Sequence, residues 1–202
     1  MTKIKMCGIS RVQDAETANT IMPDYVGFVF WSKSHRCIDI ETAKLLRQTL
    51  RPDIMTVGVY VDHDAELISE MYRDGLINIA QLHGHEDEDY IKSLRRMADI
   101  PIIKAFRIRS KADLDAAQCC SADYILLDAG MGDGRTFDWD LLQNFGRPYI
   151  LAGGLDCQNV TEAINRLHPF GVDVSSGIET DGMKDKNKMI TFAAAVRAAD
   201  QG

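Results

Sequence analysis

Short apolar runs alternate with longer stretches of helical period along the whole chain. The strand candidates are Ile4–Cys7, Val26–Phe30, Thr56–Val61, Ile79–Leu82, Ile102–Ala105, Tyr124–Leu127, Tyr149–Ala152 and Val172–Val174. Several are rich in Val, Ile and aromatic residues and are short enough to be buried on both faces, as strands of a parallel sheet are. Between them lie helical patterns with recognisable boundaries. Asp39 is placed to cap a helix whose Ala43, Leu46 and Leu50 share a face before Pro52. Ala65, Ile68, Met71 and Tyr72 keep helical spacing up to Gly75, a natural stop. Ser110 with Asp113 reads as a capping box, and Asn159 with Glu162 looks similar ahead of Val160, Ala163, Ile164 and Leu167. The last helix is expected from near Asp185 to near Ala199, and only a short one after Trp139.

Eight strand–helix units in 202 residues lie at the lower size limit of a closed barrel. The expected fold is therefore α/β, a single (β/α)8 barrel spanning residues 1–202, since no linker or low-complexity stretch divides the chain. An open doubly wound sheet uses the same alternation, because period does not report closure. In both architectures the chemistry belongs at the C-terminal strand ends.

Composition narrows the function classes. The formal net charge of −7 and the lack of a Lys/Arg cluster argue against nucleic acid. No apolar run approaches membrane-spanning length, and Met1–Cys7 lacks the apolar core of a signal peptide. Five cysteines without a C-x-x-C pair suit reduced thiols, so the expected location is the cytoplasm.

The strand ends are polar. Cys7-Gly8 closes the first strand, Ser34-His35-Arg36 follows the second, His83-Gly84 the fourth and Asp128 the sixth. Gly153-Gly154 follow the seventh strand, and Asp173 with Ser175-Ser176-Gly177 marks the eighth. The last two segments read as a phosphate cradle, because small residues let the main chain approach an anion and a following helix N-terminus presents free N–H groups. Each alone could be a tight turn; their pairing on adjacent late strands favours phosphate. Cys7 could be a buried structural thiol, yet a thiolate at a strand end can serve as a general base where donors or positive charge favour it. Asp128 could cap a helix, yet it ends a strongly apolar strand, where partial desolvation lets a carboxyl keep its proton and act as an acid.

Other features carry less. Gly130-Met131-Gly132-Asp133-Gly134 opens neither a first βα turn nor a long helix, so a dinucleotide site is rejected. His83 and His85 lack further ligands for a metal; His85 suits a solvated loop and His83 a ligand contact. Cys119-Cys120 are read as packing residues of a helix.

These residues fall into an ordered set. Lys5-Met6-Cys7-Gly8-Ile9, Ser34-His35-Arg36, Val57-Gly58-Val59-Tyr60-Val61, Gln81-Leu82-His83-Gly84, Phe137-Asp138-Trp139, Leu151–Leu155, Gly171–Glu179 and Gly182-x-Lys184-Asp185 together resemble the phosphoribosylanthranilate isomerase family over essentially the full length. The resemblance implies a cofactor- and metal-independent Amadori rearrangement in tryptophan biosynthesis, converting N-(5-phosphoribosyl)anthranilate to 1-(2-carboxyphenylamino)-1-deoxyribulose 5-phosphate. It implies Asp128 as acid and Cys7 as base, and Arg36 on the anthranilate carboxylate. His83 and Asp173 would position substrate, and Gly153, Gly154, Ser175, Ser176 and Gly177 would hold phosphate. The protein would work as monomer or homodimer on this small phosphosugar, with no nucleic acid or membrane partner.

The chain departs from the family pattern at His35, where proline is frequent, at Ser10, where threonine is common, and in a loop after Asp128 about one residue shorter. Two rival phosphosugar barrels fit less well. The histidine-pathway isomerase would show two cradles and an aspartate in place of Cys7. Indole-glycerol-phosphate synthase would need a catalytic lysine, and Lys104 lies in no matching motif. A non-catalytic phosphosugar binder would leave Cys7 and Asp128 without a task.

Overall fold

A computed structural model describes residues 1–129, 139–142 and 145–201, with Asp140 described for its backbone alone. Its elements run in chain order as β1 (Lys3–Cys7), α1 (Val12–Ile21), β2 (Tyr25–Val29), α2 (Ile40–Thr49), β3 (Met55–Tyr60), α3 (Ala65–Arg73), β4 (Ile79–Leu82) and α4 (Glu88–Met97). They continue with β5 (Ile102–Arg107), α5 (Lys111–Cys119), β6 (Tyr124–Asp128), β7 (Tyr149–Ala152), α6 (Val160–Leu167), β8 (Gly171–Val174), the short β9 (Glu179–Thr180) and β10 (Met183–Lys184), and α7 (Lys186–Ala199).

Strands β1 to β8 pair in order and close into a barrel. Closure is made by β1 against β8, in parallel register from Lys3↔Gly171 to Met6↔Val174. This decides between the barrel and the open sheet, because an open sheet would leave β1 or β8 with an unpaired edge. Side chains alternate across the wall as strand geometry requires. Val57, Ile79, Ile103, Leu126 and Ile150 fill the interior. Ile4, Met6, Phe28, Leu82 and Leu151 face outward into the layer shared with the helices, where Leu46, Ile68, Ile91, Ala163 and Phe192 meet them.

The helix starts follow local chemistry. Asp39 accepts from Thr42 N at 2.8 Å, and Asp185 accepts from the N–H groups of Asn187 and Lys188. Ser110 and Asp113 form the expected capping box. Asn159 departs from expectation, since it makes no side-chain cap of α6. Its amide instead accepts from Asp156 N at 2.9 Å and donates to Gly154 O at 2.8 Å, so it braces the preceding loop. The short helix after Trp139 is one 3-10 turn, Trp139–Leu142. Cys119 ends α5 and is exposed while Cys120 is buried, so the packing role holds for the second thiol and fails for the first. The glycine run 130–134, most of the Phe137-Asp138-Trp139 segment and the loop after Asp128 lie outside the described residues. No described helix is long and apolar enough to cross a membrane.

Candidate active site

Inside-facing positions of a strand recur every second residue, so Lys5 and Cys7 share the inner face of β1. Opposite Cys7 in register stands Gly27 of β2. A β-carbon there would lie 2.7 Å from Cys7 Sγ, so glycine makes the room the thiol occupies. Val29 and Val59 form the apolar wall beside it, and Cys7 is 8% exposed. Burial pushes the thiol up, and Lys5 and Lys184 oppose that push while Asp173 adds to it. The net shift is upward, so the resting residue is a thiol held beside two cations.

Both cations are anchored. Lys5 is buried within the barrel, and its Nζ donates to Asp173 Oδ1 at 2.9 Å. Burial works against the ammonium, but Asp173 and the neighbouring thiol raise its pKa on balance. Lys184 Nζ donates to Glu179 Oε1 at 2.6 Å and to Ser175 O at 3.0 Å. Ser175 Oγ in turn donates to Cys7 O at 3.1 Å, which ties the loop after β8 to the end of β1. Asp173 thus anchors Lys5, while its own charge disfavours the thiolate. Replacing the Lys5 ammonium with an apolar chain of similar length removes the largest influence that favours the thiolate. Lys5→Met is therefore expected to move Cys7 ionisation to higher pH. The check is the pH dependence of iodoacetamide labelling of the Cys7 peptide, read by mass spectrometry; an unmoved curve would contradict the assignment.

Arg36, in the loop before α2, lies over Gly8, whose φ is +81°; a β-carbon on Gly8 would stand 2.5 Å from Arg36 Cδ. The guanidinium donates through Nε and Nη2 to both oxygens of Glu179, at 2.7 Å each. Burial would raise the Glu179 carboxyl, but Arg36 and Lys184 together hold it below its usual range. Nη1 has no hydrogen bond among the described residues. His35 is exposed, with Nε2 4.0 Å from Glu179 Oε2.

Across the mouth, Asp128 ends β6, and His83 Nε2 lies 3.5 Å from its Oδ2. On the other side of that ring, Gln81 Nε2 is 3.2 Å from His83 Nδ1. A depression of about 530 Å³ opens here, lined by Trp31, Val59, His83, Ala105 and Arg107 among others. His85 stands at its rim, exposed and paired with Asp62 at 3.0 Å. Lys104 is buried, donating to Gly84 O at 2.8 Å and Glu86 Oε2 at 3.0 Å, which withdraws it from strand-end chemistry.

The loops after β7 and β8 lie side by side, joined by a parallel bridge between Asp156 and Gly177. Gly153 and Gly154 take φ of +95° and +66°, which side chains disfavour. A β-carbon on Gly177 would run into Leu155 O, so this approach requires glycine. Gly154 and Ser176 are exposed, Gly153, Ser175 and Gly177 half-buried, and α6 starts just beyond. The arrangement suits an anion held by main-chain donors. No cluster of His, Cys, Asp and Glu suited to a metal occurs among the described residues.

Lys5, Gln81, Glu179 and Lys184 stand within the resembling motifs, but sequence reading gave them no role. The signal was present: Lys5 and Gln81 stand two residues before Cys7 and His83, and a strand returns such pairs to one face.

Comparison with known proteins gives the family and the fold. The family described as N-(5'phosphoribosyl)anthranilate (PRA) isomerase matches residues 4–195. The N-(5'-phosphoribosyl)anthranilate isomerase of Endomicrobium trichonymphae is 42% identical over 203 residues, covering 98% of this chain and 100% of that protein. The crystal structure of phosphoribosyl anthranilate isomerase from Thermotoga maritima superposes with a TM-score of 0.90 at 34% identity, covering 98% and 100% of the two chains. A phosphoribosyl anthranilate isomerase in complex with reduced 1-(o-carboxyphenylamino)-1-deoxyribulose 5-phosphate gives a TM-score of 0.88 at 35% identity, with the same coverage.

Proposed function

The chain belongs to the N-(5'-phosphoribosyl)anthranilate isomerase family, and from that premise we propose that residues 1–202 form one catalytic domain whose barrel mouth isomerises phosphoribosylanthranilate with Cys7 as base and Asp128 as acid. The protein is an aldose–ketose isomerase of tryptophan biosynthesis. The observation that carries the residue roles is a thiol flanked by two anchored cations at one strand end and a carboxyl at another. The depression at the strand ends is lined by Val29 and Val59, which pack with Cys7, and by His83, which faces Asp128, and the two cradle loops are bridged at Asp156 and Gly177.

The chemistry consists of proton transfers. Asp128 protonates the ribose ring oxygen, the C1–O bond breaks, and the anilino nitrogen lone pair forms an iminium. Cys7, as thiolate, removes the proton from C2, and the electron pair neutralises the iminium to give an enolamine. Tautomerisation to the ketone, with protonation at C1, completes the rearrangement. Lys5 and Lys184 favour the thiolate by their charge, and Asp173 keeps Lys5 in place. Acid and base on separate strands attack the sugar from different sides, which one loop could not arrange.

The phosphate is assigned to the N–H groups around Gly153, Gly154, Ser175, Ser176 and Gly177, which anchors the far end of the sugar. Arg36 is assigned to the anthranilate carboxylate, through Nη1 or by exchanging Glu179 for it. Arg36→Ala is expected to raise KM about ten- to a hundredfold, the worth of a charge-assisted hydrogen bond, with a smaller effect on kcat. Steady-state kinetics check this; an unchanged KM would remove Arg36 from the carboxylate. The reading further places the protein in the cytoplasm, acting as monomer or homodimer without metal or cofactor.

Turnover in D2O tests the proton-transfer route. The product is expected to carry solvent deuterium at C1, and a product formed without any would point to an internal hydride shift.

A further inference from the structure

Gln81 sits where an apolar residue would be expected. It is 1% exposed on the inner face of β4, and its register neighbours are Val59 of β3 and Ile103 of β5. Its Oε1 is buried without a hydrogen-bond partner among the described residues. A methionine would fill the same space without stranding a polar atom. Packing therefore does not account for the amide, and an unsatisfied buried group in a folded protein calls for another reason.

The amide's one contact supplies it. Gln81 Nε2 lies 3.2 Å from His83 Nδ1, and His83 Nε2 lies 3.5 Å from Asp128 Oδ2. An amide nitrogen only donates, so in this orientation Nδ1 must be the accepting nitrogen of a neutral ring. The proton then sits on Nε2, the atom facing Asp128. Turning the amide over would strand the NH2 group in place of the oxygen, and buried unpaired N–H groups are rarer than under-satisfied carbonyls. The observed orientation is the better of the two.

We propose that Gln81 is a positioning residue that fixes the Nε2–H tautomer of His83 and so aims a hydrogen-bond donor at Asp128. The proposal rests on the reading of Asp128 as the acid. When Asp128 releases its proton to the sugar, the carboxylate left behind has the Nε2–H of His83 within 3.5 Å of Oδ2 to stabilise its charge. A ring tautomer is set by the bond made at the other nitrogen, so the control lies two residues back along β4 rather than at the mouth.

The experiment joins spectroscopy to kinetics. Imidazole 15N shifts of His83, assigned by loss of its signals in His83→Asn, are recorded for the wild type, Gln81→Met and Gln81→Glu. Circular dichroism checks the fold of each. The wild type is expected to hold its proton on Nε2. Gln81→Met should show both tautomers, and Gln81→Glu, which presents an acceptor, should move the proton to Nδ1. In parallel, kcat should fall about ten- to a hundredfold in Gln81→Met with KM unchanged, the usual scale for losing an orienting partner. A wild-type proton on Nδ1, an unaltered tautomer in Gln81→Met, or an altered tautomer with unaltered kcat would each overturn the proposal. Should Gln81→Glu fail to fold, Gln81→Met decides alone. An inactive wild type would refute the isomerase reading, while the 15N shifts would still report on Gln81.

Discussion

Cys7→Ala is expected to fold and to bind substrate while losing turnover by about a hundred- to ten-thousandfold, the usual worth of a general base. The fold should survive because the change removes one atom from a niche bounded by Gly27, Val29 and Val59, a void costing about 1 kcal/mol. Binding should survive because the phosphate and carboxylate contacts are assigned to other residues. Turnover should not, since no other group is assigned to remove the C2 proton, and the closest ammonium groups carry positive charge that leaves no lone pair for it. The same geometry sets a pH dependence. Burial lifts the thiol above its ordinary value despite Lys5 and Lys184, so the thiolate fraction grows as pH rises. In the wild type kcat/KM should therefore climb through neutrality toward alkaline pH. Cys7→Ala near wild-type activity would assign the base elsewhere, whereas a fall over that range in the wild type would report Asp128 losing its proton.

Asp128→Asn should lose turnover on a similar scale, about a hundred- to ten-thousandfold, with KM little changed. Asparagine keeps the shape at the end of β6 and a carbonyl oxygen to face His83, so packing and the position of the ring are preserved. What it lacks is a proton acidic enough to transfer to the ring oxygen. Ring opening is the step that then fails, since it creates an alkoxide unless a proton arrives with it. Comparing kcat and KM of Asp128→Asn with those of the wild type, with circular dichroism to confirm folding, gives the answer. A large rise in KM with kcat retained would make Asp128 a binding residue and refute its role as acid.

Much of the architecture was legible because the strands are buried on both faces and stand out as apolar runs. All eight strand candidates lie within two residues of the observed strands at each end. Closure was not legible, because it depends on β1 meeting β8, a contact that no local period encodes. Helices α1 and α4 escaped for opposite reasons. The buried face of α1 carries one large apolar side chain, Ile21, beside Asp14, Ala15, Thr17 and Ala18, while α4 buries only Ile91 and Leu94 on a highly charged segment. In α1 no apolar stripe announces a helix, and the stripe of α4 is narrow against its charged background. Asn159 was misread because its capping partner is decided by the path of the chain before it. Asp156 N and Gly154 O compete successfully for its amide.

The mouth was legible as a set of strand-end residues but not as a network. Cys7, Arg36, His83 and Asp128 were visible one by one. That Arg36 would be clamped by Glu179, and that Asp173 would meet Lys5, depends on which loops the closed barrel brings together. These contacts bridge more than a hundred residues of sequence, so only the fold could disclose them. They also change the chemistry: the thiol's surroundings, rather than the thiol alone, explain how a buried cysteine could serve as a base.

The most direct test follows the fluorescence of phosphoribosylanthranilate, generated in situ, after addition of wild type or Cys7→Ala with no metal present. Rapid loss with the wild type and only the spontaneous decay with Cys7→Ala is the predicted result. Decay at the spontaneous rate with the folded wild type would contradict the isomerase, and equal rapid loss with both proteins would contradict Cys7 as its base.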